Sequence, residues 1–157
     1  MALSLLSVGT LHVAAQALSV DDAIKRGVSL YNFGHWAEAR TEFRNARNAL
    51  SPVRDRLRVE KIDYYLALCD MELRTADAES RMRRFLELYN GSSYTNEIQF
   101  SLGAYYCILD DTQRAEEELS KVRYESLAPK YKDKYDLRMG YMAFMKGDYD
   151  AAERYFG

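Results

Sequence analysis

Side chains that could carry catalysis or bind a metal ion are few and scattered in this sequence. Of the two histidines, His12 lies in an uncharged N-terminal run and His35 in a predicted turn, so no histidine pair can form a metal site or a catalytic dyad. The sequence also contains no Gly-x-Ser-x-Gly, no glycine-rich phosphate loop and no Cys-x-x-Cys motif. We therefore expect no enzymatic activity, no metal ion, no cofactor and no small-molecule substrate.

The two cysteines, Cys69 and Cys107, raise the question of a disulfide bond. A disulfide requires Cα atoms within about 7 Å, and an oxidising compartment would favour its formation. The cysteines fall in two predicted helices that would lie side by side, but at positions one residue out of register. Because unpaired cysteine is among the most buried residue types, we favour two buried thiols, with a bridge as the alternative.

Like charges cluster at two places on predicted helices. They are the consecutive glutamates 116–118 and the arginines Arg40, Arg44 and Arg47. Consecutive residues point around a helix and do not converge, so the glutamates are expected on a solvated face. The arginines are expected on an outer surface, paired with Glu38 and Glu42 one helical turn away, rather than in an anion site.

The first twenty residues contain no charged side chain. The run ends in Ala14-Ala15-Gln16-Ala17, and the small residues at positions 15 and 17 match the pattern of a signal-peptide cleavage site. Polar residues interrupt the run, which makes it a poor membrane-spanning helix. We predict a signal peptide over residues 1–17, a mature chain from Leu18, and export to the periplasm or cell envelope. The alternative is a buried first helix of the domain that follows.

After this run, residue types recur at fixed distances along the chain. Four anchor positions, Gly27, Leu66, Gly103 and Gly140, lie 39, 37 and 37 residues apart. Alanine stands 12 residues after every anchor and a large apolar residue 16 residues after it, and Gly or Asp stands 7 residues after every anchor except Leu66. Gly and Asp suit a turn, and small residues let two helices approach closely. Each copy therefore predicts a helical hairpin, and the copy at Leu66 is the weakest.

Eight helices are expected from this pattern and from the Pro, Gly and Ser clusters that separate the copies. They run over residues 20–33, 36–50, 54–73, 76–89, 95–109, 112–124, 131–145 and 149–156. Ser19 and Asp22 resemble a capping box at the start of the first helix. The last helix is too short to complete a repeat, so we expect a fragment of a longer protein.

The spacing resembles that of tetratricopeptide repeat proteins, whose units repeat every ~34 residues. The best-matching residues are Leu102-Gly103 with Tyr106 and Ala115, and Gly147-Asp148-Tyr149-Asp150-Ala151-Ala152 with Phe156. The resemblance implies an all-α fold, a right-handed solenoid of about four antiparallel helical hairpins over residues 18–157 with the last repeat incomplete.

Composition limits the class of partner. Lys and Arg together number 22 against 24 Asp and Glu, so no strong positive field would attract nucleic acid or an anionic membrane surface. Thirteen tyrosines offer broad, rigid contact surfaces with a polar end, which suit hairpin packing or the binding of a protein. We expect a protein or peptide partner, no nucleic acid, and only indirect association with a membrane.

In proteins that the chain resembles, the first helix of each hairpin lines a concave groove that holds a partner. The candidate groove residues here are Tyr31, Asn32, Asp70, Ala104, Ile108, Tyr141, Phe144 and Met145. Grooves of this family that hold a C-terminal carboxylate use Lys, Arg and Asn, and this chain offers mainly Asn32, Lys134 and Arg138, so we do not expect such a clamp.

The resemblance implies a non-catalytic scaffold in the cell envelope, binding a partner peptide or helix along the groove. One alternative is an accessory repeat module of a larger exported enzyme or secretion component. A second, which requires the first twenty residues to be an integral helix, is a cytoplasmic adaptor.

Overall fold

The computed structural model describes residues 20–157, and the regular elements in this range are α-helices and one short 3-10 helix. The α-helices are α1 (20–32), α2 (Trp36–Asn48), α3 (Arg56–Glu72), α4 (Ala78–Leu88), α5 (Thr95–Ile108), α6 (Thr112–Ser120), α7 (Pro129–Met145) and α8 (Tyr149–Phe156), with the 3-10 helix at Tyr124–Ser126. The prediction of helices in these places is confirmed. The predicted signal peptide, and Ser19 of the predicted capping box, lie outside the described residues.

The chain divides into two compact units between Arg74 and Thr75. The N-terminal unit contains α1 to α3 and the C-terminal unit contains α4 to α8. This boundary falls in the turn between the two helices of the second predicted repeat.

The core of the N-terminal unit is a single apolar cluster contributed by all three helices. Its buried members are Val20, Ala23 and Ile24 from α1, Ala39, Phe43 and Ala46 from α2, and Ile62, Leu66 and Cys69 from α3. The Phe43 ring stacks on the Tyr65 ring with centroids 4.9 Å apart. On α1 and α2 the members recur at helical spacing, so each of these helices buries one face and leaves the other to solvent. On α3, Val59, Leu68 and Met71 are buried in addition to the cluster members, so this helix is buried around most of its circumference.

In the C-terminal unit, α5 is the central helix and packs against α4, α6 and α7, while α8 packs against α7. Buried residues cover most of the α5 surface, among them Ile98, Leu102 and Tyr106. A helix that is buried around most of its circumference shows little amphipathic contrast along its sequence, which distinguishes α5 from the peripheral helices.

The glycine anchors lie where the two helices of a hairpin come closest. A Cβ atom added at Gly103 would lie 2.6 Å from Leu119 Cγ, and one at Gly27 would lie 2.8 Å from the Phe43 ring. At Gly140 the Phe156 ring would be met at 2.5 Å. In each hairpin the residue that would be met is the one 16 positions after the anchor, as the close-approach argument requires.

The same turn follows the first helix in these hairpins. Gly34, Asp110 and Gly147 adopt positive φ angles of 80°, 56° and 79°. The amide of the next residue then donates a hydrogen bond back into the first helix, from His35 to Leu30, from Asp111 to Tyr106 and from Asp148 to Ala143. This is the Schellman arrangement that ends helices at a left-handed residue.

In the copy that was aligned on Leu66, the predicted turn position is wrong by one residue. The structure places the positive φ of 52° at Arg74 instead of Leu73. The residue seven positions before Arg74 is Ala67, which is small and fully buried, so it takes the anchor position. Arg74 stands four residues before Ala78, whereas the left-handed residues of the other hairpins stand five residues before the equivalent alanines, so the register predicted from Ala78 is wrong by one residue.

Consecutive first helices pack in a common register within each unit. In the N-terminal unit Tyr31, four residues after its anchor, contacts Tyr65, two residues before Ala67, with ring centroids 5.5 Å apart. In the C-terminal unit the corresponding residues, Cys107 and Arg138, also interact. The repeated spacing along the chain therefore corresponds to repeated side-chain contacts.

Candidate binding surface

The eight predicted groove residues divide between the two units and differ in exposure. Asp70 and Ala104 are buried, Tyr31 and Ile108 are half-buried, and Asn32, Tyr141, Phe144 and Met145 are exposed. A buried side chain offers no surface to a partner, so the prediction that Asp70 and Ala104 line a binding groove is wrong.

Asp70 instead forms an ion pair inside the N-terminal unit. Its Oδ1 atom lies 2.5 Å from Arg40 Nε, and Arg47 Nε lies 3.0 Å from Asp63 Oδ1. The predicted pairing of the arginine stripe with glutamates of its own helix is therefore wrong for Arg40 and Arg47, which bind carboxylates of α3. Pairing rules for residues one turn apart consider a single helix, whereas α3 packs against this face of α2 and supplies other carboxylates.

Four exposed apolar residues form a continuous stripe along α7. They are Leu137, Tyr141, Phe144 and Met145, which are 53–63% exposed. Their spacing of i, i+4, i+7 and i+8 places them on one helical face. At its end, Tyr149 of α8 packs edge-on against Phe144 with ring centroids 5.6 Å apart. We call this surface the α7 stripe.

The corresponding face of α5 is covered by α7. Relative to Gly103, the positions equivalent to Leu137 and Tyr141 are Phe100 and Ala104, and both are buried. The Phe100 ring contacts Tyr131 and Tyr135 of α7 at centroid distances of 5.5 and 6.4 Å. A helix that packs on α7 as α7 packs on α5 would thus cover the part of the α7 stripe that contains Leu137 and Tyr141.

The predicted solvated face at glutamates 116–118 is wrong for Glu118, which is buried, although Glu116 and Glu117 are exposed. The Glu118 carboxylate accepts hydrogen bonds from Arg83 at 3.2 Å, Gln99 at 2.6 Å and Lys121 at 3.0 Å. Burial acts to raise the pKa of Glu118, but these donors and their charges outweigh it and hold the pKa below its usual value. The carboxylate therefore joins α4, α5 and α6 as a structural group.

A second part of this network surrounds the buried Tyr106. Its hydroxyl accepts a hydrogen bond from Arg83 at 2.8 Å, and the Arg114 guanidinium lies 4.4 Å from the centre of its ring. A hydrogen bond from Tyr106 is the main cause that lowers the pKa of Glu79. The arginine cations contact both the ring and the Glu79 carboxylate, so the arrangement stabilises helix packing.

The two cysteines are free thiols, with Cys69 buried and Cys107 half-buried. Burial raises the pKa of Cys69 to about 12, which keeps it protonated and unreactive. Within residues 20–157, no group of three or more His, Cys, Asp or Glu side chains is placed to hold a metal ion. No helix in the same range has the length and hydrophobicity needed to cross a membrane.

In comparisons with known proteins, no family model, no curated protein and no solved structure matches this chain.

Proposed function

We propose that this chain is a tetratricopeptide-like solenoid protein that acts as a non-catalytic scaffold and binds an amphipathic helix of a partner protein on the α7 stripe. The observation that carries the proposal is the contrast between α5 and α7. The α5 residues equivalent to Leu137 and Tyr141 are buried, and one of them, Phe100, packs on α7, whereas Leu137 and Tyr141 are exposed.

Three repeated features support the solenoid part of the proposal. The close approach at the anchor glycine, the Schellman turn and the register of consecutive first helices each recur along the chain. Repetition of these contacts is the property that lets hairpins stack as an array, each contacting its neighbours.

The α7 stripe has the composition of a protein-binding surface. Large contiguous apolar patches on a protein surface mark interaction sites, and Tyr, Phe and Met are enriched in the cores of protein interfaces. The stripe carries these three residue types at positions 141, 144 and 145. A rigid helix presents them in fixed geometry, which favours a helical partner over an extended one.

Affinity capture from the envelope fraction of the source cells tests the proposal. The wild-type chain and the variant Tyr141→Glu are used as bait, and bound proteins are identified by mass spectrometry. We expect a partner that is retained by the wild type and lost with Tyr141→Glu, because a charge would be buried in the interface. Leu88→Glu is the matched control, since Leu88 is 56% exposed and Tyr141 is 58% exposed.

The control keeps the added charge and the lost apolar area similar while it leaves the α7 stripe intact. Retention of every bound protein by Tyr141→Glu would contradict the proposal, as would equal losses with Leu88→Glu. If the captured partner proves to be a second copy of the chain, the α7 stripe mediates self-association instead of binding a different protein.

Export is part of the same proposal and depends on the sequence of residues 1–17. We expect N-terminal sequencing of the protein from its source cells to begin near Leu18, because Ala15 and Ala17 form the cleavage pattern. An exported protein that still carries Met1 would contradict the signal peptide.

A further inference from the structure

The N-terminal unit contains an open pocket of about 360 Å³ between α1 and α3. Its lining residues are Asp21, Ile24 and Lys25 of α1 and Leu57, Arg58 and Lys61 of α3. None of these residues belongs to the predicted groove, and the pocket lies in the unit that does not contain the α7 stripe.

The pocket lies where the C-terminal unit places aromatic rings. Counted from the anchors Gly27 and Gly103, Ile24 of α1 corresponds to Phe100 of α5. Counted from Ala67 and Gly140, Arg58 of α3 corresponds to Tyr131 of α7. Phe100 and Tyr131 pack ring against ring, whereas Ile24 and Arg58 leave the equivalent space without a ring. The pocket thus occupies a position at which the C-terminal unit has two packed aromatic rings.

The cationic side chains around the pocket differ in whether they are paired with carboxylates. Arg58 is neutralised by Asp21, at 2.9 Å, and by Asp55, at 3.3 Å. Lys25 and Lys61 form no ion pair with any described residue. The rim therefore carries two ammonium groups whose charge the described part of the chain does not compensate, which favours a ligand with negative charge.

The floor and the approach to the pocket are apolar. Ile24 is buried at the base, and Leu57 is 80% exposed at the edge. Val53, in the turn before α3, is also exposed, so a second apolar side chain lies near the start of this helix. An apolar site with a cationic rim fits a side chain that is apolar in its body and flanked by acids.

From this geometry we propose that the pocket binds an aromatic side chain from an acidic segment of a partner protein. The ring occupies the space that Phe100 and Tyr131 fill in the C-terminal unit, and carboxylates on either side of it pair with Lys25 and Lys61. The site is separate from the α7 stripe, so the protein would engage a partner at a second surface.

Fluorescence anisotropy with short labelled peptides tests the proposal on the whole chain. The probe is a fluorescein-labelled Gly-Asp-Asp-Phe-Asp-Asp-Gly peptide, and two matched peptides replace Phe by Ala or all Asp by Asn. We expect saturable binding of the probe. Loss of the ring should weaken binding at least about tenfold, and loss of the acids at least about fivefold at low salt.

Two kinds of variant locate the binding site. Ile24→Phe restores a ring at the Phe100-equivalent position and fills the pocket, and the double variant Lys25→Met and Lys61→Met removes the cationic rim. Both should weaken binding of the probe at least about fivefold, while Lys134→Met, which removes an exposed lysine of α7, should leave it unchanged. Thermal melts verify that each variant is folded.

Several results of these binding measurements would contradict the pocket proposal. Absence of saturable binding, equal affinity for the Asn peptide, or an unchanged affinity of the double lysine variant would overturn the proposal. If the lysine variant weakens binding and a folded Ile24→Phe does not, binding is to a charged surface and the pocket assignment is wrong. If Ile24→Phe fails to fold, the lysine variant and the Ala peptide together decide. A negative result for this pocket does not affect the proposal for the α7 stripe, because Tyr141→Glu tests that surface separately.

Discussion

Replacing Gly103 tests whether the anchor glycines determine the packing of the hairpins. Gly103 lies in the middle of α5, and a Cβ atom there would lie 2.6 Å from Leu119 Cγ, 2.8 Å from Leu119 Cδ2 and 3.2 Å from the Leu119 backbone nitrogen. Carbon atoms pack best at about 3.5–4.0 Å, so Leu119 would have to retreat by roughly 1 Å. Because the Leu119 backbone nitrogen is also close, rotation of the Leu119 side chain alone cannot relieve the contact. Helix α6 itself must therefore shift.

The size of the effect follows from two opposing terms. Overpacking of this kind costs about 1–3 kcal/mol, while replacing Gly by Ala inside a helix stabilises the helix by about 1 kcal/mol. We therefore expect Gly103→Ala to lower the free energy of unfolding by about 1 kcal/mol. Gly103→Leu gains a similar helix preference but must place three more carbon atoms, so its loss should approach about 3 kcal/mol.

Urea denaturation followed by circular dichroism measures these differences. Gly91→Ala is the matched control, because a Cβ atom there meets nothing within 4 Å, and its effect should stay within about 0.5 kcal/mol. Trp36, the only tryptophan, lies in the N-terminal unit, so its fluorescence monitors the unit that the substitution does not touch. If Gly103→Leu is as stable as Gly91→Ala, the close-approach argument for the anchors is refuted.

Three further predictions concern the buried charges and thiols. Glu118→Gln should lower the free energy of unfolding by about 1–2 kcal/mol in urea titrations, because it weakens hydrogen bonds to partly exposed cations. The neighbouring Glu117→Gln should change the free energy of unfolding by no more than about 0.5 kcal/mol. Equal effects of the two substitutions would contradict the buried network. Since the folded-state pKa of Glu118 is lowered, its stabilisation is present above the unfolded pKa of about 4.3 and is lost as the pH falls through the folded pKa. Unfolding free energies measured from pH 7 to pH 3 should therefore fall less steeply below about pH 4 in Glu118→Gln than in the wild type. In the native protein at pH 8, a thiol reagent should modify half-buried Cys107 faster than Cys69, whose thiol burial keeps protonated; faster labelling of Cys69 in mass spectra would contradict this order.

The positions of the helices and of most turns could be predicted from the sequence because their causes are local. Left-handed turns favour Gly and Asp, and Gly34, Asp110 and Gly147 are found at such turns. Close helix contacts need small residues, and alanine and glycine mark them at regular spacing. Where a residue without these properties took the left-handed conformation, at Arg74, the local signal was missing and the predicted register was wrong by one residue.

Only the tertiary structure decided which side chains are buried and which remain available to a partner. Glu117 and Glu118 are adjacent and chemically identical, yet Glu118 lies under Arg83 and Gln99 from two other helices while Glu117 is exposed. Phe100 and Leu137 occupy equivalent positions in two repeats, and they differ because α7 covers the first. The physical reason is that periodicity along one helix defines its faces, whereas burial of a face depends on the neighbouring helix that packs on it.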